Sequence, residues 1–500
     1  MSTKAEVVIT GSRENYRKYA PADVFDRIVE MESVSELLAR CEKEYAALEA
    51  VQCGEKSYTY GELLNDVARL RGAMAEKGLQ AGQRVLMHLP NSYDLLVSFL
   101  AAASLGISSA IAPIQLPAPA IGGLVQAFRC AALVDADPNA PAGSAVLLTG
   151  KERGKAVPAA DVKADAECAV LFTGGTTGKS KGAVLSHGAV MQGVVNGCYG
   201  YADVFGQRYM LTLPMSHVFG LIRGTLTALY TGSVLFINQN PQAMYRDAAA
   251  FKPTLWIAVP ALAEMTLSLS RQFGRMMLGP DMKTIIAGAA AVPPYLVQEY
   301  NKYGISLFPG YGLTESANLV SGNPEFLAKP ESVGLPFPNQ ELTLVDGELW
   351  IRGKNMLTAY VGTAEAAFDG DGWFHTGDLA RFDGDGFLYI TGRTKEIIVL
   401  GNGENVSPAE VESHFNALQW VQDSQLFAKT DEQGRAFLAL EVVPRAAEMA
   451  GIEDPKGFLA QKLDAVNRSL PSAWQAAEIV IRDSDFERSP SMKILRYGRK

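Results

Sequence analysis

The stretch Leu171-Phe172-Thr173-Gly174-Gly175-Thr176-Thr177-Gly178-Lys179-Ser180-Lys181-Gly182 gathers groups that hold anions. It carries four glycines, three threonines, a serine and two lysines behind the apolar run Ala169-Val170-Leu171-Phe172. Glycines let backbone N–H groups approach an anion closely, and hydroxyls and ammonium groups add donors. The apolar run reads as a short buried strand. A loop of this composition at a strand end suits phosphate. It is not the P-loop of kinases and GTPases. Read back from Gly178-Lys179-Ser180, the leading glycine of that pattern falls on Thr173. A Gly/Ser surface turn would explain a few of these residues but not the whole run.

Three further segments offer complementary chemistry. Tyr311-Gly312-Leu313-Thr314-Glu315-Ser316 combines a glycine turn able to lie against a planar base, a hydroxyl, and a hard carboxylate oxygen for Mg²⁺. Trp373-Phe374-His375-Thr376-Gly377-Asp378 ends on a carboxylate, an acceptor suited to the two hydroxyl donors of a ribose. Lys493, in Ser489-Pro490-Ser491-Met492-Lys493-Ile494, is a compact cation able to bridge a carboxylate and a phosphate as charge builds between them. Each segment has an ordinary reading when taken singly. Glu315 would be a solvated loop residue, Asp378 a turn residue after glycine, and Lys493 part of a basic tail with Arg488, Arg496, Arg499 and Lys500. His217, in Pro214-Met215-Ser216-His217-Val218-Phe219-Gly220, would be a structural histidine.

These residues need a scaffold, and the hydrophobic pattern supplies one. Strand-like runs at 84–89, 169–173, 209–213, 233–237, 254–259 and 284–287 alternate with helical patterns. Such alternation implies α/β layers on largely parallel sheets, with the phosphate loop at a strand's carboxyl end. From about residue 341 short strands with tight turns take over, at 348–351 and 387–390, punctuated by Asp346-Gly347, Asp383-Gly384 and Asp385-Gly386. A boundary falls near Gly392-Arg393-Thr394-Lys395, dividing residues 1–393 from 394–500. Beyond it come a strand at 396–400, the Gly401-Asn402-Gly403 turn, strands at 423–428 and 436–444, and a helix over 457–470. Ser407-Pro408-Ala409-Glu410 predicts a helix start with a capping box.

Bulk composition narrows the function. Five hundred residues exceed one ordinary core, so two or more domains are expected. Lys plus Arg number 45 against 54 Asp plus Glu, a net charge of −9, which argues against generic nucleic-acid binding. The five cysteines show no C-x-x-C spacing and the five histidines no metal-ligand pairing. A disulfide framework or zinc site is therefore not expected, and a reducing cytoplasm is the natural compartment. Residues 1–20 hold no signal-peptide core. The one apolar stretch of membrane-spanning length, 95–114, is interrupted by serines, Gly106 and Pro113. It reads as a buried helix over 93–105 and a strand over 108–113.

Thr173-Gly174-Gly175-Thr176-Thr177-Gly178, followed by Lys181-Gly182, resembles the signature loop of the adenylate-forming enzymes. That superfamily contains acyl- and aryl-CoA synthetases, luciferases and peptide-synthetase adenylation domains. The chain is closest in character to acyl- or aryl-CoA ligases, and the resemblance covers nearly all of it. It implies a large N-terminal domain of layered α/β subdomains plus a β-rich subdomain, and a small mobile α+β C-terminal lid. It implies that the loop closes on the β- and γ-phosphates of ATP, that Tyr311 stacks on adenine, that Thr314 bonds the α-phosphate and that Glu315 holds Mg²⁺. Asp378 and Arg393 match the ribose contacts, Lys493 the catalytic lysine, Lys395 the hinge, and Gly403 the glycine of the pantetheine tunnel. His217 matches the gate beside the carboxylate pocket, which Val218, Phe219, Gly288, Ala289 and Gly312 would help line. Met492 stands where the family usually has glycine. Peptide-synthetase adenylation domains place an aspartate near His217 to pair with a substrate ammonium, and none lies between Ser216 and Ile222, so an α-amino acid is disfavoured.

The expected reaction is therefore that of an ATP-dependent carboxylate–thiol ligase. It turns a fatty or aromatic acid into acyl-AMP and pyrophosphate, then into a thioester of CoA or of a phosphopantetheine carrier protein. A luciferase-like oxidative enzyme and a non-catalytic AMP-binding module are the alternatives.

Overall fold

The computed structural model describes residues 7–173, 181–363, 366–400, 405–430, 436–488 and 494. Two large sheets form the N-terminal part. In the nine-stranded sheet, Val234–Ile237, Arg208–Leu211, Leu255–Ala258, Thr284–Ala287 and Ser306–Leu313 run parallel side by side. Leu255–Ala258 and Thr284–Ala287 are buried at every position, as central parallel strands covered on both faces must be. The edges turn antiparallel: Asn318–Gly322 and Leu335–Pro336 on one side, Lys56–Thr59 on the other.

The seven-stranded sheet repeats the scheme. Arg84–His88 lies between Ser108–Ile111 and Ala132–Asp135, parallel to both. Glu167–Phe172 joins the parallel set on Ser108–Ile111, whereas Gly182–Ser186 and Ala359–Val361 continue it antiparallel. The expected helix and strand inside 93–113 are Tyr93–Ala103 and Ser108–Ile111, with the Ser92 hydroxyl accepting the Leu95 N–H at 3.1 Å as N-cap. Among the described residues no helix is long and apolar enough to cross a membrane.

The region from 340 forms a five-stranded antiparallel sheet: Ile9–Thr10, Gln340–Val345, Glu348–Gly353, Phe374–Phe382 and Leu388–Arg393. Its Asp346-Gly347 turn has φ of 51° and 81°, the left-handed pair a two-residue hairpin requires.

Beyond 393 a separate apolar cluster collects Val406, Val411, Phe415, Leu426, Leu440, Val442, Leu459 and Leu463. It sits between the sheet of Val421–Thr430, Ala436–Pro444 and Glu478–Ile481 and the helices Pro408–Asn416 and Pro455–Ser469. Two local elements differ from those the sequence predicts. The strand expected over 396–400 shrinks to Ile398–Val399, because Thr394–Glu396 makes a 3₁₀ turn first. The capping box does not form, since the Ser407 hydroxyl turns back to donate to the Thr391 carbonyl at 2.7 Å.

Candidate active site

The phosphate-loop residues Gly174, Gly175, Thr176, Thr177 and Gly178 lie outside the described residues; the two ends of the loop do not. Glu167–Phe172 enters it and Gly182–Ser186 leaves it, so the loop joins two antiparallel strands rather than a strand and a helix. This topology separates it from a P-loop as firmly as the spacing does. The Thr173 N–H donates to the Lys181 carbonyl at 2.9 Å and pins the loop's base.

Three residues far apart in sequence meet on one carboxylate. Asp378 is buried, with one oxygen 2.7 Å from Nε of Arg393 and the other accepting the Tyr311 hydroxyl at 2.6 Å. The strands Phe374–Phe382 and Leu388–Arg393 place Asp378 directly opposite Arg393, which sets the first contact by register. The Asp378 N–H is held by the Thr376 hydroxyl at 3.0 Å, and Gly377, at φ 70°, donates its N–H to Glu348 at 2.8 Å. Burial, reinforced by the Asp378 charge and hydrogen bond, raises the Tyr311 phenol well above its usual range, so it remains a donor. Burial alone would lower the Arg393 guanidinium, but Asp378 and Tyr311 hold it above its ordinary value.

Gly312 has a different role from the one expected. It lies within the strand Ser306–Leu313, at a register shift opposite Leu319, and not in a turn. A Cβ there would stand 1.8 Å from the Asn318 carbonyl oxygen, so the neighbouring strand's backbone requires glycine. Immediately after it, Thr314–Ser316 is a single 3₁₀ turn that ends in Ala317 and Asn318 at φ 45° and 108°. Non-glycine residues at such angles store strain, which clusters at functional sites.

That turn presents Glu315. One carboxylate oxygen accepts the Tyr360 hydroxyl at 2.9 Å, while the Lys181 ammonium lies 5.2 Å over the Tyr360 ring. Tyr360 thus links the exit of the phosphate loop to the acidic turn. Sequence reading missed it, because Tyr360 sits in no glycine-rich or charged motif. Only its strand, Ala359–Val361, paired on Gly182–Ser186, brings it there.

The expected carboxylate pocket is partly assembled. Nδ1 of His217 accepts the Phe219 N–H at 3.2 Å, which puts the proton of a neutral ring on Nε2. Val218 and Phe219 are buried, and a Cβ on Gly288 would stand 3.5 Å from the Phe219 ring and 3.2 Å from the Gly310 carbonyl. Ala289, next in line, has φ 66°. Residues Phe219–Leu226 form a π-helix whose loosened carbonyls at Gly220 and Ile222 accept the Thr225 and Thr227 hydroxyls, both at 2.9 Å. Such bulges are frequent at functional sites. Of the remaining candidates, Lys395 is exposed in the 3₁₀ turn Thr394–Glu396, while Gly403, Met492 and Lys493 lie outside the described residues.

An adenine-nucleotide enzyme is the class this fold and site define. Residues 38–361 match the family described as AMP-binding enzyme, and the chain belongs to that family. It is an acid–thiol ligase of the acyl- and aryl-CoA synthetase type. Among its relatives, an indoleacetate–CoA ligase of Aromatoleum aromaticum is 29% identical over 437 residues, covering 79% of this chain and 85% of the relative. A feruloyl-CoA synthase of Amycolatopsis is 28% identical over 421 residues, with the same coverage of 79% and 85%. In fold, the chain resembles the anthranilate CoA ligase AuaEII in complex with anthranoyl-AMP, at a TM-score of 0.81 and 18% identity, covering 92% of this chain and 95% of that one. ATP-bound MatB from Rhodopseudomonas palustris gives 0.78 at 23% identity, covering 92% and 97%.

Proposed function

We propose that the protein adenylates a fatty or aromatic carboxylic acid with ATP and passes the acyl group to the pantetheine thiol of CoA, or of an acyl carrier protein. The observation that carries this reading is Asp378, a buried carboxylate held by Arg393 and by Tyr311, whose strand Ser306–Leu313 runs directly into the acidic turn at Glu315. The names of the relatives, an indoleacetate–CoA ligase and a feruloyl-CoA synthase, support an aromatic acid and CoA.

In this reading Asp378 and Arg393 take the ribose, and Tyr311 lies along the adenine. The loop from Thr173 to Lys181 cradles the β- and γ-phosphates, and Thr314 donates to the α-phosphate. A carboxylate oxygen of the acid attacks the α-phosphorus, the bridging P–O bond to the β-phosphate breaks, and pyrophosphate leaves with the electron pair. His217, Val218, Phe219, Gly288 and Ala289 position the acid. Lys493 meets the charge building between the carboxylate and the α-phosphate. The segment after 393 then turns about Lys395, a thiolate reaching past Gly403 attacks the acyl carbonyl, and AMP departs.

Glu315 fits a role toward Mg²⁺: its position is fixed by Tyr360, and a single protein carboxylate beside phosphate oxygens and waters is the donor set Mg²⁺ favours. Mg²⁺, when bound, neutralises phosphate charge there. The five cysteines are unpaired thiols, four of them buried, which fits a cytoplasmic setting.

The test separates the two half-reactions in Lys493→Ala. Adenylation falls by at least ~10², the scale for losing one preorganised charge donor. Thioester formation from supplied acyl-AMP survives. Wild-type adenylation in that variant would remove Lys493 from the mechanism, and absence of any thioester product in the wild type would remove the ligase.

A further inference from the structure

Arg223, on the π-helix Phe219–Leu226, is 1% exposed and makes no ion pair among the described residues. Its terminal nitrogens donate to neutral phenols, at 3.0 Å to Tyr201 and 3.4 Å to Tyr209. Nε is buried without a partner. The groups that act on the guanidinium are Tyr201, Tyr209 and Cys198, and no carboxylate is among them. A buried cation without a counter-charge is costly, and native structures pair such groups.

This cation lines a cavity of about 20 Å³, together with Asn196, Gly197, Ile286, Phe308 and Gly310. Asn196 adds a second orphan. Its carbonyl oxygen accepts from Gln192 at 2.9 Å, but its Nδ2 is buried with no partner. Two residues of the cavity wall thus each carry a buried donor without a partner, and one of them a whole positive charge. A water, for which a cavity of this size has room, would satisfy donors but not the charge. A carboxylate oxygen satisfies both.

The cavity shares two strands, Thr284–Ala287 and Ser306–Leu313, with the neighbourhood of the proposed acyl pocket. Ile286 lies on the strand Thr284–Ala287, which Gly288 directly follows, and the Gly310 carbonyl on the neighbouring strand lies against Gly288. Two residues along a strand advance about 7 Å. The cavity thus sits two to four positions, roughly 7 to 13 Å, below the Gly312–Thr314 end where the reacting carboxylate would lie.

We infer that this cavity is the far end of the acyl pocket, and that Arg223 with Asn196 receives a second carboxylate carried by the acid substrate. The inference rests on the ligase reading and specifies its substrate class: a dicarboxylic acid, aliphatic or aromatic, activated at one end and anchored at the other. Gly197 is part of the device, because a Cβ there would stand 2.9 Å from Cδ and 3.2 Å from Nε of Arg223.

The experiment is ATP–pyrophosphate exchange with matched acid pairs: terephthalate against 4-methylbenzoate, adipate against hexanoate, suberate against octanoate. In the wild type at least one diacid exceeds its monoacid partner in kcat/KM by about tenfold or more, the scale of a hydrogen bond to a charged group. Arg223→Gln removes that ratio, and Gly197→Ala, which keeps the charge but crowds the guanidinium, lowers it. A wild type that prefers the monoacid in every pair overturns the inference and leaves the ligase standing. Exchange with no acid of either kind, in protein that binds ATP, overturns the ligase reading and the inference with it.

Discussion

Arg445, just after the strand Ala436–Pro444, bonds Glu264 on the helix Pro260–Gln272, joining the C-terminal segment to the N-terminal body. The same guanidinium donates to the Tyr295 hydroxyl at 2.7 Å and to the Gln419 carbonyl at 2.5 Å. A second crossing runs beside it, where Arg271 pairs with Glu448 and, at 2.7 Å, with Glu299. Burial pushes the Glu264 carboxyl up, to about 7, against the pull of Arg445. The pose of the proposed lid is therefore held by a nearly buried pair and not by surface charges alone.

Breaking one partner of a buried pair leaves the other uncompensated, at a cost of roughly 3 kcal/mol. Glu264→Ala accordingly loosens the C-terminal segment. Trypsin cleavage after Arg393 or Lys395, both exposed at the boundary, accelerates several-fold while the N-terminal body keeps its thermal midpoint. Unchanged cleavage would show that the Arg445–Glu264 pair does not set the pose.

The Tyr311–Asp378–Arg393 contacts separate by substitution. Tyr311→Phe keeps the ring and loses one hydrogen bond, so the KM for ATP rises about 2- to 10-fold, with kcat little altered. Asp378→Ala removes the shared acceptor, and the KM for ATP rises by roughly 10- to 100-fold, since a charged hydrogen-bond acceptor is lost. Steady-state kinetics with ATP varied checks both.

His187 gives the fold an acid limit. It is fully buried, its Nδ1 accepts the Val34 N–H at 3.2 Å, and burial pushes its pKa down to about 4. The unfolded chain protonates this ring near 6.5, before the folded chain does. Stability from the neutral ring is complete above 6.5 and is lost as pH falls from there toward 4, by roughly 3 kcal/mol in all. Thermal midpoints across that window fall in the wild type and fall less in His187→Gln. Equal slopes would show that other groups carry the acid transition.

Glycine, threonine and hydrophobic alternation made much of this legible in advance. The strand entering the phosphate loop, the parallel neighbours in the large sheets and the antiparallel region after 340 were readable because period and turn chemistry are local. The site was less so. Asp378 and Arg393 stood out as motif residues, but only their cross-strand register shows that they pair. Gly312 was expected to serve a turn, and the true constraint, the Asn318 backbone, comes from the next strand. Ser407 was expected to cap a helix, yet its hydroxyl found the Thr391 carbonyl instead. Tyr360 and Arg223 carried no sequence signal, since an isolated tyrosine or arginine reveals its role only through what surrounds it.

The central claim is adenylation without any thiol. ATP–pyrophosphate exchange, measured over aryl, short-chain, long-chain and amino acids with CoA omitted, tests it most directly. The account predicts exchange with at least one aryl or fatty acid and little with the amino acids. Exchange confined to amino acids, or none with any acid in protein that binds ATP, would contradict it.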